Sequence, residues 1–542
     1  MYRVIILDTL AQEGLQLLKQ AQGIEFEVRT GLKGDALREA LAGADAAICR
    51  SGVQIDAASL EGNRRLRAIA RAGVGTDNID KEAATRRGIV VMNTPGGNTI
   101  STAEHTFALM LALSRNLAPA HQSLVEGKWN RNAYMGTQLA DKTLGIIGLG
   151  RIGREIASRA RAFQMRVIGY DPFVSPDQAE KMGIELVDQV RALLPRVDFL
   201  TVHAPKTPET TKLIGKAELD LLKPGVRLIN CARGGIYDES ALVEGLKSGK
   251  LAGVALDVYD KEPCTDSPLF HMPGTLCSPH LGASTEEAQT QVAVEAVQLI
   301  LAYLTTGEIR HAVNAASLDP LVLQALRGYL DVAYRLGLFL AQWVPSAITT
   351  CRLSYRGEVT KRDTSLLTSA FCAGLLTRAL DQEANVVNSQ VLLRERGIEL
   401  VEQSRSGMGP FSSSIRAELE CESGTYTASG TLFGNDMPRL IQLNDYRLEA
   451  YLDGTLMLFS HEDRPGIIGA IGTVFGQHHV NIAQMSVGRA GAQPGGQAIG
   501  VLNLDDVPPP AALNAMLQLE GIHRAQVIQL PAAGQGPAWL VG

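Results

Sequence analysis

The fold of this chain is decided by the stretch Thr143-Leu144-Gly145-Ile146-Ile147-Gly148-Leu149-Gly150-Arg151-Ile152-Gly153. Its short apolar run is typical of a buried parallel strand, and three glycines spaced as G-x-G-x-x-G then lead into a helical pattern. Gly148 permits a tight turn, Gly150 lets the backbone approach a pyrophosphate, and Gly153 allows close packing of helix and strand. The free N–H groups at the start of that helix would face phosphates, so the stretch predicts a dinucleotide-binding site.

A second predicted strand, at 165–170, ends at Asp171, about twenty residues beyond the glycines. An acidic side chain at this position would accept hydrogen bonds from an adenosine ribose and repel a 2′-phosphate. Asp171 precedes Pro172, so the alternative is an ordinary turn residue. Strand, glycines, helix, strand and acid in this order favour NAD as the cofactor over NADP.

Length and composition limit the class of protein. A chain of 542 residues implies three or four domains, and its 45% hydrophobic and 20% charged residues are ordinary for a globular protein. A net charge of −6 gives no basic surface, so nucleic acid is not an expected partner. Seven scattered cysteines without C-x-x-C pairs predict free thiols in the cytoplasm and no metal site. The N-terminus resembles a strand and not a signal peptide, and no apolar run predicts a membrane span.

The order of predicted elements indicates several α/β units. Strands alternate with helices through residues 1–97, which predicts a doubly wound, mostly parallel sheet for a substrate-binding domain. The same alternation of strands and helices continues through 98–283, which is the predicted Rossmann domain for NAD. A long helix within about 284–312 would complete the first domain. An α+β region is predicted at 318–450, and residues 453–530 have the βαββαβ order of a ferredoxin-like domain.

The sequence also predicts individual elements. The helices include 100–116, 286–304, 321–343 and 365–380, and the strands of the third region include Ser413–Cys421 and Tyr426–Leu432. The final residues 531–542 are rich in Ala, Gly and Pro and are expected to be a loose tail.

Three polar side chains follow strands predicted for the second domain: Arg233, Glu262 and His280. An open α/β sheet binds its ligands at this edge. Hydride transfer at C2 of a 2-hydroxy acid needs a guanidinium to hold the carboxylate and polarise C2–O, and an imidazole to exchange the hydroxyl proton. A carboxylate beside the imidazole would orient it and favour its charged form. Each residue has a simpler alternative: surface arginine, turn glutamate or capping histidine.

The chain resembles the D-isomer-specific 2-hydroxyacid dehydrogenases in three motifs that follow the glycine stretch. They are Asn-Cys-Ala-Arg-Gly-Gly at 230–235, Asp-Val-Tyr-Asp-Lys-Glu-Pro at 257–263 and Ser-Pro-His at 278–280. The resemblance implies a flavodoxin-like substrate domain, and it gives Arg233, Glu262 and His280 the catalytic roles described above. Asp257 would accept a hydrogen bond from the nicotinamide carboxamide. The cofactor contacts that the resemblance implies are Val74, Gly148, Gly150, Arg151, Ile152, Gly153, Asp171, Ala204, Cys231, Ala232, Arg233, Asp257, His280, Leu281, Gly282 and Ala283.

Further stretches, at 71–80, 93–98 and 127–131, are similar to the branch of this family that oxidises 3-phosphoglycerate in the first step of serine biosynthesis. A substrate with a phosphate and a carboxylate demands several cations. The candidate substrate-binding residues are Arg50, Ser51, Arg71, Gly73, Val74, Gly75 and Arg131. For the arginines, an ordinary surface position is the alternative. Arg131 follows a long predicted helix and could reach the site of a neighbouring subunit in a homodimer or homotetramer.

The C-terminal region resembles a ligand-binding module. His461–Ile468, followed by Asn481, is similar to the ACT-domain pattern, and long members of the family carry an intervening domain before it. Paired ACT domains bind amino acids, so serine is the candidate effector, with His461, Asp463 and Asn481 as its polar contacts. A degenerate oligomerisation module is the alternative.

Two other functions share much of this pattern. A dehydrogenase acting on glyoxylate, hydroxypyruvate or D-lactate would have the same catalytic residues but no reason for an ACT module. An NAD(H)-sensing binding protein of the corepressor type would share the fold and the triad. The C-terminal architecture favours the biosynthetic enzyme over both.

Overall fold

Four sheets organise the chain in the computed structural model, which describes residues 1–315, 320–380, 384–407, 409–434, 436–491 and 495–541. The domain boundary predicted at 318 and the last residue, 542, lie outside these ranges. Two sheets are parallel, one is mixed, and the last has the ferredoxin-like order, so the predicted fold class is confirmed. Within the described ranges, no helix is long and apolar enough to cross a membrane.

The first sheet belongs to the N-terminal domain. Its strands and their helices are β1 (Tyr2–Ile6), α1 (Gln12–Gln20), β2 (Ile24–Val28), α2 (Gly34–Ala42), β3 (Ala46–Cys49), β4 (Ala68–Arg71), α3 (Lys81–Arg86) and β5 (Val90–Asn93). The strand order β2-β1-β3-β4-β5 is that of a flavodoxin-like sheet. Every residue of β3 is buried, because helices cover both faces of a parallel sheet.

The second sheet has seven parallel strands. Its elements are α4 (Thr99–Ser114), α5 (Leu117–Val125), β6 (Thr143–Ile147), α6 (Arg151–Ala162), β7 (Arg166–Tyr170), α7 (Pro176–Lys181), β8 (Glu185–Leu186), α8 (Val190–Leu193), β9 (Phe199–Val202), α9 (Lys216–Leu221), β10 (Val226–Asn230), α10 (Glu239–Lys247), β11 (Leu251–Leu256) and β12 (Thr275–Cys277). The strand order is β12-β11-β10-β9-β6-β7-β8, so the direction of winding reverses at β6. Ligands of doubly wound sheets bind at the carboxyl ends of the strands at such a reversal.

Two helices carry the chain between these domains. Helix α4 leads from the first domain into the second, and α11 (Glu286–Thr306) leads back. Helix α11 begins at Thr285, whose hydroxyl caps the N–H of Ala288 at 3.2 Å. Its buried face, which includes Val292 and Ala296, joins the core of the first sheet. The first domain is therefore built from both ends of the catalytic half of the chain.

The remaining elements form the mixed sheet and the ferredoxin-like sheet. They are α12 (Pro320–Trp343), β13 (Ile348–Gly357), α13 (Ser365–Leu376), α14 (Ser389–Glu395), β14 (Glu399–Arg405), β15 (Ser413–Cys421), β16 (Gly424–Phe433), β17 (Met437–Leu443), β18 (Tyr446–Tyr451), β19 (Thr455–Glu462), α15 (Ile467–Gln477), β20 (Ile482–Arg489), β21 (Gln497–Leu504), α16 (Pro510–Leu517), β22 (Ile522–Gln529) and α17 (Ala538–Val541). The sheet orders are β14-β13-β15-β16-β17-β18 and β20-β21-β19-β22. One hydrophobic core joins them, because Leu336 and Phe339 of α12 share it with Leu458 and Ile528.

A buried arginine holds the C-terminal segment against α12. Arg335 is fully buried, and its Nε donates to Asp331 at 2.7 Å. Its terminal nitrogens donate to the carbonyls of Pro531 at 2.5 Å, Ala532 at 3.1 Å and Gln535 at 2.8 Å. The loose tail expected from composition is therefore wrong for these residues, since a buried guanidinium needs acceptors for its donors and the segment supplies them.

We expect Arg335→Lys to free the C-terminal segment, because an ammonium cannot reach the same set of carbonyls. Loss of these hydrogen bonds should lower the free energy of local opening of residues 531–537 by about 2–4 kcal/mol. Hydrogen exchange measured by mass spectrometry on this segment tests it. The matched control is Arg352→Lys, since Arg352 pairs with the partly exposed Glu418 and Glu420, and the loss of such a surface pair should have little effect on stability. Equal exchange in both variants would contradict the role of Arg335.

Candidate active site

The glycine turn after β6 has the geometry of a phosphate-binding loop. Gly148 has a φ of +93°, and a Cβ there would lie 2.5 Å from the carbonyl oxygen of His203. A Cβ on Gly153 would collide with the carbonyl oxygen of Gly148, so only glycine lets α6 begin this close to the strand. Around Gly150, by contrast, a Cβ would meet open space. The turn leaves room for a ligand at the N-terminus of α6.

Asp171 closes the nucleotide end of this site. Its carboxylate accepts the N–H of Leu149 at 2.8 Å and the N–H of Phe173 at 2.8 Å. Each carboxylate oxygen keeps a further lone pair for a ribose hydroxyl. Because the bond to Leu149 lies inside the glycine turn, Asp171 is fixed beside the phosphate loop. Its position fits the role predicted for it in selecting NAD.

The segment that joins β5 to α4 carries polar atoms without partners. Thr94 Oγ1, Asn98 Oδ1 and Thr99 Oγ1 are buried and have no hydrogen-bond partner in the described structure. The same segment passes beside the glycine turn, since a Cβ on Gly96 would lie 3.3 Å from an Nη of Arg151. Buried polar atoms are costly unless paired. These atoms suit the hydroxyl and phosphate groups of a dinucleotide, so the residues present fit NAD.

Glu262 and His280 are in direct contact. Oε2 of Glu262 lies 2.6 Å from Nδ1 of His280, and its Oε1 accepts the N–H of Tyr259 at 3.0 Å. Burial raises the pKa of Glu262, but the bonds to His280 and Tyr259 outweigh it and lower the pKa below its usual value. Glu262 is therefore a carboxylate at neutral pH. It holds one ring nitrogen of His280 and leaves Nε2 for a substrate hydroxyl.

Arg233 reaches across the cleft between the two α/β domains. Its Nε donates to Asp77 Oδ2 of the first domain at 2.8 Å, and its Nη1 donates to the carbonyl of Ala232 at 2.7 Å. A Cβ on Gly75 would overlap Nη2, which places that nitrogen against the 73–75 loop. Asn230 shapes the preceding turn by accepting the N–H of Ala232 and donating to the carbonyl of Arg233.

Two more predicted arginines lie at the carboxyl edge of the first sheet. Arg50 follows β3 and Arg71 ends β4, and the Nε atoms of both are buried with no partner among the residues that the structure describes. Burial lowers the pKa of Arg71, and the charges of Arg233 and Arg50 add to this effect. Burial also lowers the pKa of Arg50, while Asp8 opposes it. Arg71 thus lies within electrostatic range of both other arginines, and its Nη1 and the Nη2 of Arg233 lie against the same 73–75 loop, which suits a strongly anionic substrate.

The other predicted substrate-binding residues differ in their environments. The N–H of Gly73 already donates to the carbonyl of Arg71 at 2.9 Å, which leaves Val74 and Gly75 as the candidates for backbone contacts. Ser51 is exposed beside Arg50. Arg131 is exposed on a short turn of helix beyond α5.

Asp257 is fully buried and anchors the loop that carries His280. Its carboxylate accepts Ser278 Oγ at 2.7 Å, and the N–H groups of Leu281 at 2.7 Å and Gly282 at 2.8 Å. Its contact with a nicotinamide carboxamide stays a prediction. Cys231 is also buried, and burial raises the pKa of its thiol to about 12. The predicted cofactor contacts that keep partial or full exposure include Val74, Arg151, Ile152, Ala204, Ala232, Leu281 and Ala283.

Of the predicted effector residues, His461 and Asp463 lie at the carboxyl end of β19, whereas Asn481 precedes β20 at the opposite end of the ferredoxin-like sheet. His461 is buried, its Nδ1 lies 2.7 Å from the carbonyl of Glu462, and its Nε2 has no partner in the described structure. Asp463 pairs with Arg489 at 2.7 Å, and Asn481 donates to Asp505 at 2.7 Å. An effector at Asp463 would therefore have to compete with Arg489.

Sequence reasoning missed several residues at the catalytic site. Asp77 lies within the quoted 71–80 stretch, but nothing in its spacing indicated that it would contact Arg233. His105 of α4 lies 3.2 Å from both Ser278 Oγ and Asp257 Oδ1. These contacts join residues more than 150 positions apart, and a local pattern contains no signal for them. No group of His, Cys, Asp and Glu side chains in the described part of the chain could hold a metal ion.

Comparison with known proteins agrees with this geometry. Residues 107–282 match the NAD binding domain of the D-isomer specific 2-hydroxyacid dehydrogenases, 325–444 match the D-3-phosphoglycerate dehydrogenase intervening domain, and 455–521 match the ACT domain. A D-3-phosphoglycerate dehydrogenase of Archaeoglobus fulgidus is 40% identical, covering 97% of this chain and 100% of that protein. The Bacillus subtilis enzyme of the same name is 37% identical over 98% of this chain and 100% of its own length.

Solved structures match the catalytic half. The TT0316 protein of Thermus thermophilus is 36% identical with a TM-score of 0.53, covering 57% of this chain and 99% of that one. A glyoxylate reductase of Paecilomyes thermophila is 29% identical with a TM-score of 0.54, covering 58% of this chain and 98% of that one. The fold and site define an NAD-dependent dehydrogenase of the D-isomer-specific 2-hydroxyacid class. Within that class, the chain belongs to the D-3-phosphoglycerate dehydrogenase family, as the sequence motifs had indicated.

Proposed function

We propose that this enzyme oxidises 3-phosphoglycerate to 3-phosphohydroxypyruvate with NAD, as the first step of L-serine biosynthesis. The observation that carries the proposal is the grouping of three arginines: Arg71 and Arg233 lie against the 73–75 loop, and Arg50 follows the strand next to the one that Arg71 ends. A 2-hydroxy acid without a phosphate needs only one of them. The names of the full-length relatives support the same substrate. The cytoplasm is the expected compartment, since all seven cysteines are free thiols, and recovery of the protein only from another fraction would contradict it.

The catalytic roles follow from the contacts. His280, held at Nδ1 by Glu262, takes the proton of the C2 hydroxyl at Nε2 and returns it in the reverse reaction. Arg233 binds the substrate carboxylate and polarises C2–O through its terminal nitrogens. When bound, NAD would accept the hydride from C2. Because Arg233 already contacts Asp77 of the opposite domain, it places the substrate between the two domains and helps to exclude water.

The first test is NADH absorbance with purified enzyme and either phosphohydroxypyruvate or hydroxypyruvate. The proposal expects rapid oxidation of NADH with the phosphorylated substrate and much slower oxidation with hydroxypyruvate. Equal rates would favour the general hydroxyacid dehydrogenase that shares this triad. No turnover of either substrate, with NADH still binding, would favour the sensor protein.

We expect Arg50→Met to reduce kcat/KM for phosphohydroxypyruvate by about tenfold to a hundredfold, because a charge-assisted bond to the phosphate is worth ~1.5–3 kcal/mol. Hydroxypyruvate should lose little, since it has no phosphate to bind. Steady-state kinetics with both substrates measure the difference. Arg65→Met is the control, as Arg65 pairs with Asp45 on the surface of the same domain at 2.8 Å. Equal losses with both substrates would remove Arg50 from the phosphate site.

We propose a homodimer or homotetramer whose interface includes residues 117–135. Large apolar side chains are exposed in this segment, including Leu117, Leu124, Val125, Trp129 and Met135. Exposed apolar surface of this kind marks an interaction site. Such an interface would bring Arg131 of one subunit against its neighbour.

Trp129→Glu should therefore shift the enzyme towards a monomer, because the glutamate would place a charge in the interface. Sedimentation velocity measures the change in mass. Phe173→Glu is the control, since Phe173 is exposed on the same domain outside this segment. A wild-type enzyme that sediments as a monomer would contradict the interface.

We propose that serine inhibits the enzyme through the ACT domain, with His461 and Asp463 as contacts from one subunit and Asn481, at the opposite end of the sheet, as a contact from a paired ACT domain. The match to the ACT domain supports the proposal, and a serine ammonium bound at Asp463 would have to displace Arg489 from its ion pair. Millimolar serine should lower NADH turnover, and Asp463→Ala should weaken that inhibition relative to the basal rate of the same variant. Calorimetry measures binding directly. Heat-silent titration together with unchanged turnover would leave the ACT domain as an oligomerisation module.

A further inference from the structure

The loop that carries His280 is held on both sides of Gly282. On one side, the buried carboxylate of Asp257 accepts the N–H groups of Leu281 and Gly282 at 2.7 and 2.8 Å. On the other side, the carbonyl of Gly282 accepts Ser101 Oγ at 2.8 Å and Thr102 Oγ1 at 3.1 Å. Ser101 and Thr102 are buried in the first turn of α4. The loop therefore depends on a helix that begins some 180 residues earlier in the chain.

His280 itself has a backbone conformation that needs such support. Its φ is +56°, in the left-handed region that residues other than glycine seldom adopt. A conformation of this kind persists only when its surroundings hold it, and at active sites it aims a side chain. The N–H of His280 donates to the carbonyl of Ser278 at 3.1 Å, which closes the turn. Small shifts of Ser278 or Leu281 would therefore change the direction of the imidazole.

His105 lies one helical turn after Ser101 on α4 and completes the support. Its Nε2 is 3.2 Å from Ser278 Oγ and 3.2 Å from Asp257 Oδ1. Since the hydroxyl of Ser278 donates its proton to Asp257 at 2.7 Å, the network assigns the hydrogen of His105 to Nε2, where it donates to both oxygens. Burial raises the pKa of Asp257, but the bonds from His105, Leu281 and Ser278 together lower it below its usual value. Asp257 is thus held as a buried carboxylate.

We propose that His105 is a positioning residue for the hydride-transfer reaction, acting through Asp257 and Ser278 to fix the turn that aims His280. His105 does not touch the reacting atoms. It lies on α4, the helix between the two domains, and connects that helix with both ends of the catalytic turn. The kinetic part of this inference rests on the proposed function, whereas the effect on the His280 ring does not.

The consequence is a loss of alignment without a loss of substrate affinity. Replacing the imidazole with an apolar ring removes the donor to Ser278 and leaves the buried carboxylate one hydrogen bond short. The turn would then relax, and misplacement of a catalytic group by about 1 Å costs up to about a hundredfold in rate. The arginines that bind the substrate lie on other elements, so KM should change much less than kcat. Glutamine can place an amide N–H near the position of Nε2 and should restore part of the rate.

The experiment compares His105→Phe and His105→Gln with wild type in the full-length enzyme. The matched control is His523→Phe, because His523 is exposed on β22, outside the catalytic half. Phosphohydroxypyruvate reduction gives kcat and KM, and thermal unfolding shows whether each variant is folded. A ¹⁵N-histidine spectrum without substrate reports the His280 ring, whose signals are identified with His280→Gln.

We expect His105→Phe to lower kcat about tenfold to a hundredfold, with less than about a threefold change in KM, and to shift the His280 signals. His105→Gln should recover most of the rate, and His523→Phe should match wild type. An unchanged kcat in His105→Phe overturns the proposal, as does an equal loss in both His105 variants with His280 signals unmoved. If the wild type itself fails to reduce phosphohydroxypyruvate, the proposed function fails, and the shift of the His280 signals decides the role of His105 alone.

Discussion

The close approach of α6 to β6 is the constraint on which the catalytic half depends. A side chain at Gly153 would collide with the carbonyl of Gly148, and one at Gly148 would meet the backbone of His203. With glycine at both positions, the helix begins directly over the point where the winding of the sheet reverses. That geometry places the N-terminus of a helix, the carboxyl ends of β6 and β9, and Asp171 around one space. The dinucleotide site thus follows from backbone packing, and side chains refine it.

The cleft opposite this site gathers like charges before any substrate is present. Arg71 lies close enough to Arg50 and Arg233 for their charges to lower its pKa further. Two carboxylates offset this repulsion: Asp77 contacts Arg233, and Asp8 accepts the N–H of Arg50 at 2.6 Å. An arrangement of this kind is unfavourable for folding but favourable for binding a substrate with two anionic groups. Repulsion among the arginines lowers the stability of the free enzyme, and binding of an anionic substrate would relieve that repulsion.

Much of the fold could be predicted, because its signals are local. Buried parallel strands are apolar throughout, as in β3, and strands such as β15 have the predicted bounds Ser413–Cys421. Helix α4 ends at Ser114, two residues before the predicted end, since Asn116 adopts a left-handed conformation. The catalytic residues were found because each follows a strand. The residues that support them could not be predicted, because the bonds of Arg233 to Asp77 and of His105 to Ser278 join distant segments. The packing of Arg335 against the last residues could not be predicted either, because composition alone does not indicate it.

If the C-terminal half regulates the enzyme as proposed, it would act through its contact with the first domain. The intervening domain touches the catalytic half at α3, where Arg86 pairs with Glu395 at 2.9 Å and Asn385 donates to the carbonyl of Gly88 at 3.1 Å. Val387 packs in the core of the first sheet. These contacts reach the domain that carries Arg50 and Arg71, whereas the nucleotide turn and His280 lie on the other side of the cleft. A change in the C-terminal half that moved α14 would therefore act first on the arginines that face the substrate, and the ACT domain shares its core with α12 of that same half.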